Sequence, residues 1–211
     1  MDFDAAVASV AAADPLMGAF IARAGAFEPR AGSGDYFASL VRSIMYQQLA
    51  GRAAAAIHGR FVQAIGGQVT PEAVLASTPE ALRAAGLSGN KTAAILDLAT
   101  RATDGTVPLG GLGELDDESI ITRLSAVRGI GRWTAEMFLM FELRRLDVWP
   151  VDDYGVRNGW TLIHSLPAII KPRELQQEGE RFRPYRSVTA WYCWQAVSLL
   201  RGAMVLPEAA Q

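Results

Sequence analysis

Apolar positions recur along this chain with the spacing of an α-helix almost throughout. The first thirty or so residues read as a helix that ends near 29-PRAGSGD-35. Asp35 stands where a cap belongs, and the segment YFASLVRSIMYQQLAGRAAAAIHGRFVQAIG follows it. Within it Phe37, Leu40, Val41, Ile44, Met45 and Leu49 fall at helical spacing, so the pattern predicts continued helix up to Gly66-Gly67. The next two segments, 70-TPEAVLAS-77 and 78-TPEALRAAGL-87, both open on Thr-Pro-Glu. Threonine caps, proline suits the first helical position, and an early acid meets the helix dipole. Two short helices are predicted there, and another over 89–105, closed by glycine. Residues 106–117 are crowded with Gly and Pro and hold no period, which predicts a loop. Helix resumes over 116–127 and 131–143, again around 154–165, and, after a polar segment at 171–180, over 187–202. No strand pair and no fixed-period repeat is visible. The expectation is an all-α chain of about ten helices joined by short connections.

Composition narrows this further. A chain of 211 residues, half of them apolar and 20% charged, suits one compact domain or two small lobes sharing a core. The single cysteine, Cys193, excludes an internal disulfide and a four-cysteine zinc or iron–sulfur site. It also fits a reducing cytoplasm. No apolar run approaches the roughly 18–20 residues that cross a bilayer, and the acidic start is unlike a signal peptide. The formal net charge of −2 supplies no global attraction to nucleic acid, so any such binding has to come from local fields. Only Lys91 and Lys171 are lysines among the basic residues. Arginine is the better bidentate partner for phosphate, although an arginine-rich genome produces the same skew.

Two stretches carry candidate chemistry. In 124-LSAVRGIGRWTAEMFLMF-141 a helix ends near Val127, Arg128-Gly129-Ile130-Gly131 turns, and a second helix starts at once. Two glycines one residue apart permit positive φ and leave amide N–H groups unblocked at a helix start. Such a start receives anions, a DNA phosphate among them. Ile130 is expected to pack inward. A plain helix-turn-helix corner has the same outline. In 148-VWPVDDYGVRNGW-160 two carboxylates, Asp152 and Asp153, stand side by side before a new helix. Taken alone, the pair fits a capping turn as well as a catalytic site.

Four blocks together go further: 44-IMYQQLAGRAA-54, 86-GLSGNKTAAI-95, 124-LSAVRGIGRWTAEM-137 with 151-VDDYGVR-157, and 182-FRPYRSVTAWYCW-194. In this order, from about residue 36 to 201, the chain resembles the helix-hairpin-helix (HhH-GPD) DNA glycosylase superfamily, most closely its 3-methyladenine DNA glycosylase II (AlkA-like) branch. The resemblance implies an all-α fold of two helical lobes with a cleft between them. Lobe A would be about 1–36 plus 152–211, and lobe B about 37–151 with the hairpin 124–141. It implies a monofunctional glycosylase of base-excision repair that flips alkylated bases such as 3-methyladenine and 7-methylguanine and releases them hydrolytically. Asp153 matches the family's catalytic aspartate, and Asp152 its neighbour, expected to support the loop as a cap or hydrogen-bonding group. Trp133 stands where strand-cutting members carry a Schiff-base lysine, so no lyase activity is expected.

Further expectations come from the same resemblance. Trp133, Met137 and Tyr185 match the base pocket, aromatic faces suiting a cationic base; Met137 replaces a frequent aromatic. Gly129, Ile130, Gly131 and Arg132 form the DNA-binding hairpin, and Gln47 and Gln48 match paired polar residues facing DNA. Leu87 and Ser88 lie in a DNA-probing loop where Leu87 is either a wedge or core, and Lys91 is assigned to phosphate. The carbonyls of Ser125, Val127 and Ile130 match a site for a structural Na+ or K+. No iron–sulfur cluster and no long N-terminal domain are expected. The expected partner is double-stranded DNA with a damaged base, met by a monomer in the cytoplasm at a bacterial nucleoid. The competing reading is a non-catalytic helix-hairpin-helix DNA-binding module, for which Gly129 and Gly131 suffice and Asp153 is only a cap.

Overall fold

The computed structural model describes residues 2–29, 32–49 and 51–203, with side chains through Leu200. Residues 1, 30, 31, 50 and 204–211, Ala50 of the 44–54 block included, lie outside the described residues. Among the described residues there are twelve α-helices and two 3-10 turns, and no strand. In chain order the helices are α1 (Phe3–Ala13), α2 (Pro15–Ala24), α3 (Tyr36–Tyr46), α4 (Gly51–Ala64), α5 (Pro71–Leu75), α6 (Pro79–Ala84), α7 (Gly89–Asp104), α8 (Asp117–Ser125), α9 (Arg132–Phe141), α10 (Tyr154–Ile163), α11 (Pro172–Gly179) and α12 (Arg186–Ala203). The chain divides into two compact units, Met1–Arg30 with Arg144–Gln211, and Ala31–Leu143.

In the second unit the caps fall where local chemistry puts them. Asp35, Thr70, Thr78, Ser88 and Asp116 each accept a backbone N–H three residues on, satisfying amides that a helix start leaves without partners. The apolar stripe of α3 is buried whole: Phe37, Leu40, Val41, Ile44 and Met45. It packs on α4, α7 and α9. The helical pattern expected to run from Tyr36 to Gly66 is interrupted, because α3 ends at Tyr46 and α4 begins at Gly51. Between them Gln48 adopts φ +57, a left-handed conformation that no helix propagates. The loose segment 106–117 is anchored by Val107 and Leu112, both fully buried, with a 3-10 turn at Leu112–Glu114.

In the first unit the single helix expected over the opening residues is two helices. Pro15 has no N–H to continue the ladder, and Asp14 before it is extended, as a residue preceding proline prefers. Asp14 then caps α2: its Oδ1 accepts the N–H groups of Leu16 and Met17 at 2.9 and 3.0 Å. Its Oδ2 lies 3.0 Å from His164 Nε2 and 3.2 Å from Arg181 Nη1. Burial pushes the Asp14 carboxyl up, but the Met17 N–H, His164 and Arg181 outweigh it and hold the group below its ordinary 3.8. A carboxylate with a depressed folded value stabilises the fold above its unfolded value and loses that contribution as pH falls through the folded one. Asp14→Ala is therefore expected to cost about 1–2 kcal/mol at neutral pH. Urea unfolding of both proteins should show that difference shrinking as pH drops below 3.8; a difference constant down to strong acid would exclude the charge as its source.

The polar segment 171–180 is also helical. Pro172 starts α11, the Lys171 N–H donates to Glu174 Oε2 at 3.2 Å, and Leu175 is fully buried. Trp149 Nε1 donates to the Leu175 carbonyl at 2.9 Å. The densest packing in this unit is α10 on α12. Gly155 and Gly159, one helical turn apart, leave the α10 surface flat there. A Cβ on Gly159 would lie 1.9 Å from the Cys193 carbonyl oxygen, so only glycine admits α12 this close. Trp160 and Tyr192 fill the core beside this crossing, at 2% and 0% exposure. Burying an aromatic of this size contributes about 1.5–3 kcal/mol.

Candidate functional site

In the second unit the hairpin joins α8 to α9. Gly129 adopts φ +76, and a Cβ there would lie 3.0 Å from that of Ala94 on α7; both the conformation and the close approach call for glycine. Gly131 is extended and opens α9 with no side-chain cap, a geometry open to an anion. Ile130 packs inward at 3% exposure, and Val127 is buried at 2%. The Val127 carbonyl accepts the Ile130 N–H at 3.1 Å, and the Arg128 N–H donates to Asp97 Oδ2 at 2.8 Å. Arg132 pairs with Glu118 and, at 3.2 Å, with Glu136.

The neighbouring predicted residues divide. Gln47 Nε2 donates to the Gly129 carbonyl at 3.0 Å and to Thr134 Oγ1 at 3.1 Å, so it belongs to the hairpin. Gln48 beside it is exposed. Leu87 is 5% exposed, so of the two roles weighed for it the core role is the one observed. Ser88 is exposed and caps α7 through its hydroxyl. Lys91, expected at a phosphate, directs its ammonium to the carbonyls of Met45 and Gln47, both at 2.7 Å. Two backbone acceptors at the end of α3 hold the charge assigned to a phosphate. Trp133 is 43% exposed, and Met137, one turn on, is half-buried.

In the first unit the two carboxylates separate sharply. Asp153 is 9% exposed and caps α10, its Oδ1 accepting the Val156 N–H at 2.8 Å. The same oxygen accepts the indole N–H of Trp194 at 2.9 Å. Asp152 is exposed. Of the two roles expected of Asp152, cap or hydrogen-bonding support of the loop, the cap belongs to Asp153, whose φ of −67 and ψ of 120 orient it so. Trp194 reaches Asp153 because Gly155 has no side chain: a Cβ there would lie 2.7 Å from Trp194 Cδ1. Cys193 is wholly buried, and burial together with the nearby Asp153 charge pushes its thiol far up, so it is inert as a nucleophile. Tyr185 is half-buried before α12.

Trp194 was not singled out from the sequence. Gly155-x3-Gly159 was the available signal, since small residues one turn apart mark a close helix approach. Among the described residues no group of three or more His, Cys, Asp and Glu side chains could hold a metal ion. None of their helices is long and apolar enough to cross a membrane.

The model of the HhH-GPD superfamily base excision DNA repair protein family matches residues 41–184. DNA-3-methyladenine glycosylase 1 of Schizosaccharomyces pombe is 37% identical over 166 residues, 77% of this chain and 73% of that protein. A structure of the 3-methyladenine DNA glycosylase of that organism in complex with abasic DNA superposes with a TM-score of 0.84 at 34% identity, covering 92% of this chain and 97% of that one. The DNA-3-methyladenine glycosidase of Bacillus halodurans gives 0.85 at 35% identity, covering 93% and 91%.

Proposed function

We propose, from the premise that the chain belongs to the HhH-GPD superfamily of base excision DNA repair proteins, that it is a monofunctional DNA glycosylase acting on alkylated bases in double-stranded DNA. The observation that carries this reading is Asp153. It is a buried carboxylate fixed by two N–H donors at a helix start, on a chain that also holds an uncapped hairpin helix. The relatives named for 3-methyladenine support the substrate class.

The chemistry follows from charge. Alkylation at N3 or N7 makes a purine cationic, so it departs as a neutral base without strong acid catalysis. The sugar passes through an oxocarbenium-like state. The carboxylate of Asp153 stabilises that cation and accepts the proton of the water that adds to C1′. The Val156 and Trp194 donors fix its rotamer, so little reorganisation is needed as charge develops. Trp133 and Tyr185 offer aromatic faces for the extruded base, Met137 a more adaptable one. Gly129, Gly131 and the first turn of α9 receive a phosphate.

The carbonyls of Ser125, Val127 and Ile130, at and just beyond the negative end of α8, are hard oxygen ligands suited to Na+ or K+. The Val127 oxygen retains a second lone pair beyond its Ile130 bond, which leaves it able to help hold such an ion. These carbonyls would hold the cation, and its positive charge would favour a phosphate at the hairpin. We place the protein as a monomer in the cytoplasm.

Trp133 occupies the position that decides the outcome after base loss. An indole cannot form a Schiff base. Incubation with methylated duplex should therefore leave abasic sites in an uncut strand, and borohydride should trap no covalent complex. A trapped complex would exclude the monofunctional assignment.

A further inference from the structure

One face of α7 carries Lys91, Ala94 and Asp97, and all three bear on the turns that surround the hairpin. Asp97 holds the Arg128 N–H at 2.8 Å. Ala94 is the surface against which Gly129 rests, with 3.0 Å to a Cβ placed there. Lys91 Nζ donates to the Met45 and Gln47 carbonyls, both at 2.7 Å. Those carbonyls lie at the negative end of α3, where a cation is favoured. Gln47 is the residue that turns out of α3, with φ −54 and ψ 131, and Gln48 follows at φ +57. From this turn the Gln47 amide reaches the Gly129 carbonyl at 3.0 Å and the Thr134 hydroxyl at 3.1 Å. The main chain that Lys91 grips is thus the same residue whose side chain grips the hairpin.

We infer that Lys91 is a positioning residue for DNA engagement. It acts through Gln47, fixing the turn after α3 so that the Gln47 amide holds the hairpin loop and the first turn of α9 in their DNA-receiving geometry. Two of the three ammonium donors are committed to this grip. The inference rests on the hairpin being the DNA interface, as proposed above.

A phosphate ligand and a positioning residue separate in salt dependence. Removing a phosphate contact on duplex DNA lowers the slope of log K against log salt by about 0.9. Loosening a hairpin weakens binding without changing the number of ions released. The test uses Lys91→Met, Gln47→Ala and the double variant, titrated with a duplex holding a tetrahydrofuran abasic analogue between about 50 and 200 mM salt. Hydrogen exchange of the hairpin amides is followed in the free proteins. Each single variant is expected to bind about tenfold more weakly, as loss of a charged hydrogen-bond network does, with the wild-type slope retained. The double variant should bind no more weakly than the poorer single, because residues acting in one chain of contacts are not additive. Exchange at residues 129–132 should quicken about tenfold in both singles, while Ile95 and Leu98 keep their protection. A slope lower by about 0.9 in Lys91→Met, with unchanged hairpin exchange, would make it a phosphate ligand. Additive losses would make it independent of Gln47. Either result overturns the inference. If the wild type fails to bind the duplex, the DNA-interface reading falls, while the exchange data still decide whether Lys91 positions the hairpin. Should Lys91→Met fail to fold, Lys91→Arg, which keeps the charge but not the two-carbonyl fit, takes its place in the cycle.

Discussion

Asp153→Asn is expected to reduce base release by at least about a hundredfold, the range seen when a preorganised electrostatic group is lost, while leaving DNA affinity within about twofold. The substitution is clean because of what Asp153 does structurally. Asparagine is as good a helix cap as aspartate, and its amide oxygen can still accept from Val156 and Trp194, which now donate to Oδ1 at 2.8 and 2.9 Å. The charge goes, and the second oxygen is replaced by an NH2 donor. Asp152→Asn, at an exposed position one residue earlier, should retain most of the activity. Single-turnover release from methylated duplex, measured beside equilibrium binding, checks both. Equal losses in the two variants would place the chemistry elsewhere.

Gly159→Ala carries the largest expected effect on stability. Its new methyl would meet the Cys193 backbone carbonyl at 1.9 Å, and backbone within a helix yields far less readily than a side-chain tip. The α10–α12 contact would have to open, at a cost of about 3 kcal/mol or more. Urea unfolding followed by tryptophan fluorescence should show this loss, because Trp160 and Trp194 flank the crossing. Gly155→Ala is milder in stability, since its clash is with the Trp194 side chain at 2.7 Å. That clash displaces the indole from Asp153. A Gly159→Ala protein as stable as wild type would show that the crossing is looser than described.

What was legible in the sequence follows the range of the forces involved. The starts of α3, α5 and α6 were readable because a cap acts over three residues, and Asp35, Thr70 and Thr78 supply it locally. The breaks at Asp14-Pro15 and after Tyr46 were not, although Pro15 was in plain view. Apolar spacing continued across both, and periodicity does not register a single residue leaving helical φ and ψ. At the site, the family resemblance singled out Asp153 and left its neighbour as either a cap or a hydrogen-bonding support of the loop. Which of two adjacent acids caps depends on backbone torsion, which the doublet does not encode. Trp194 bonds to a residue 41 positions away, and Lys91 to carbonyls 44 and 46 positions away. Contacts of that separation leave no local pattern. A lysine at a helix start just after Gly86 and Gly89 reads as a phosphate contact until its acceptors are seen.

Catalysis and binding part at one step: a glycosylase breaks the bond between an alkylated base and its sugar, and a binding module only holds the DNA. The most direct measurement is chromatography of free base after the wild-type protein is incubated with a duplex carrying 3-methyladenine, with binding to the same duplex recorded in parallel. Free 3-methyladenine and an intact strand bearing an abasic site are expected. Binding without any released base would contradict catalysis and leave a helix-hairpin-helix module in which Asp153 is only the cap of α10.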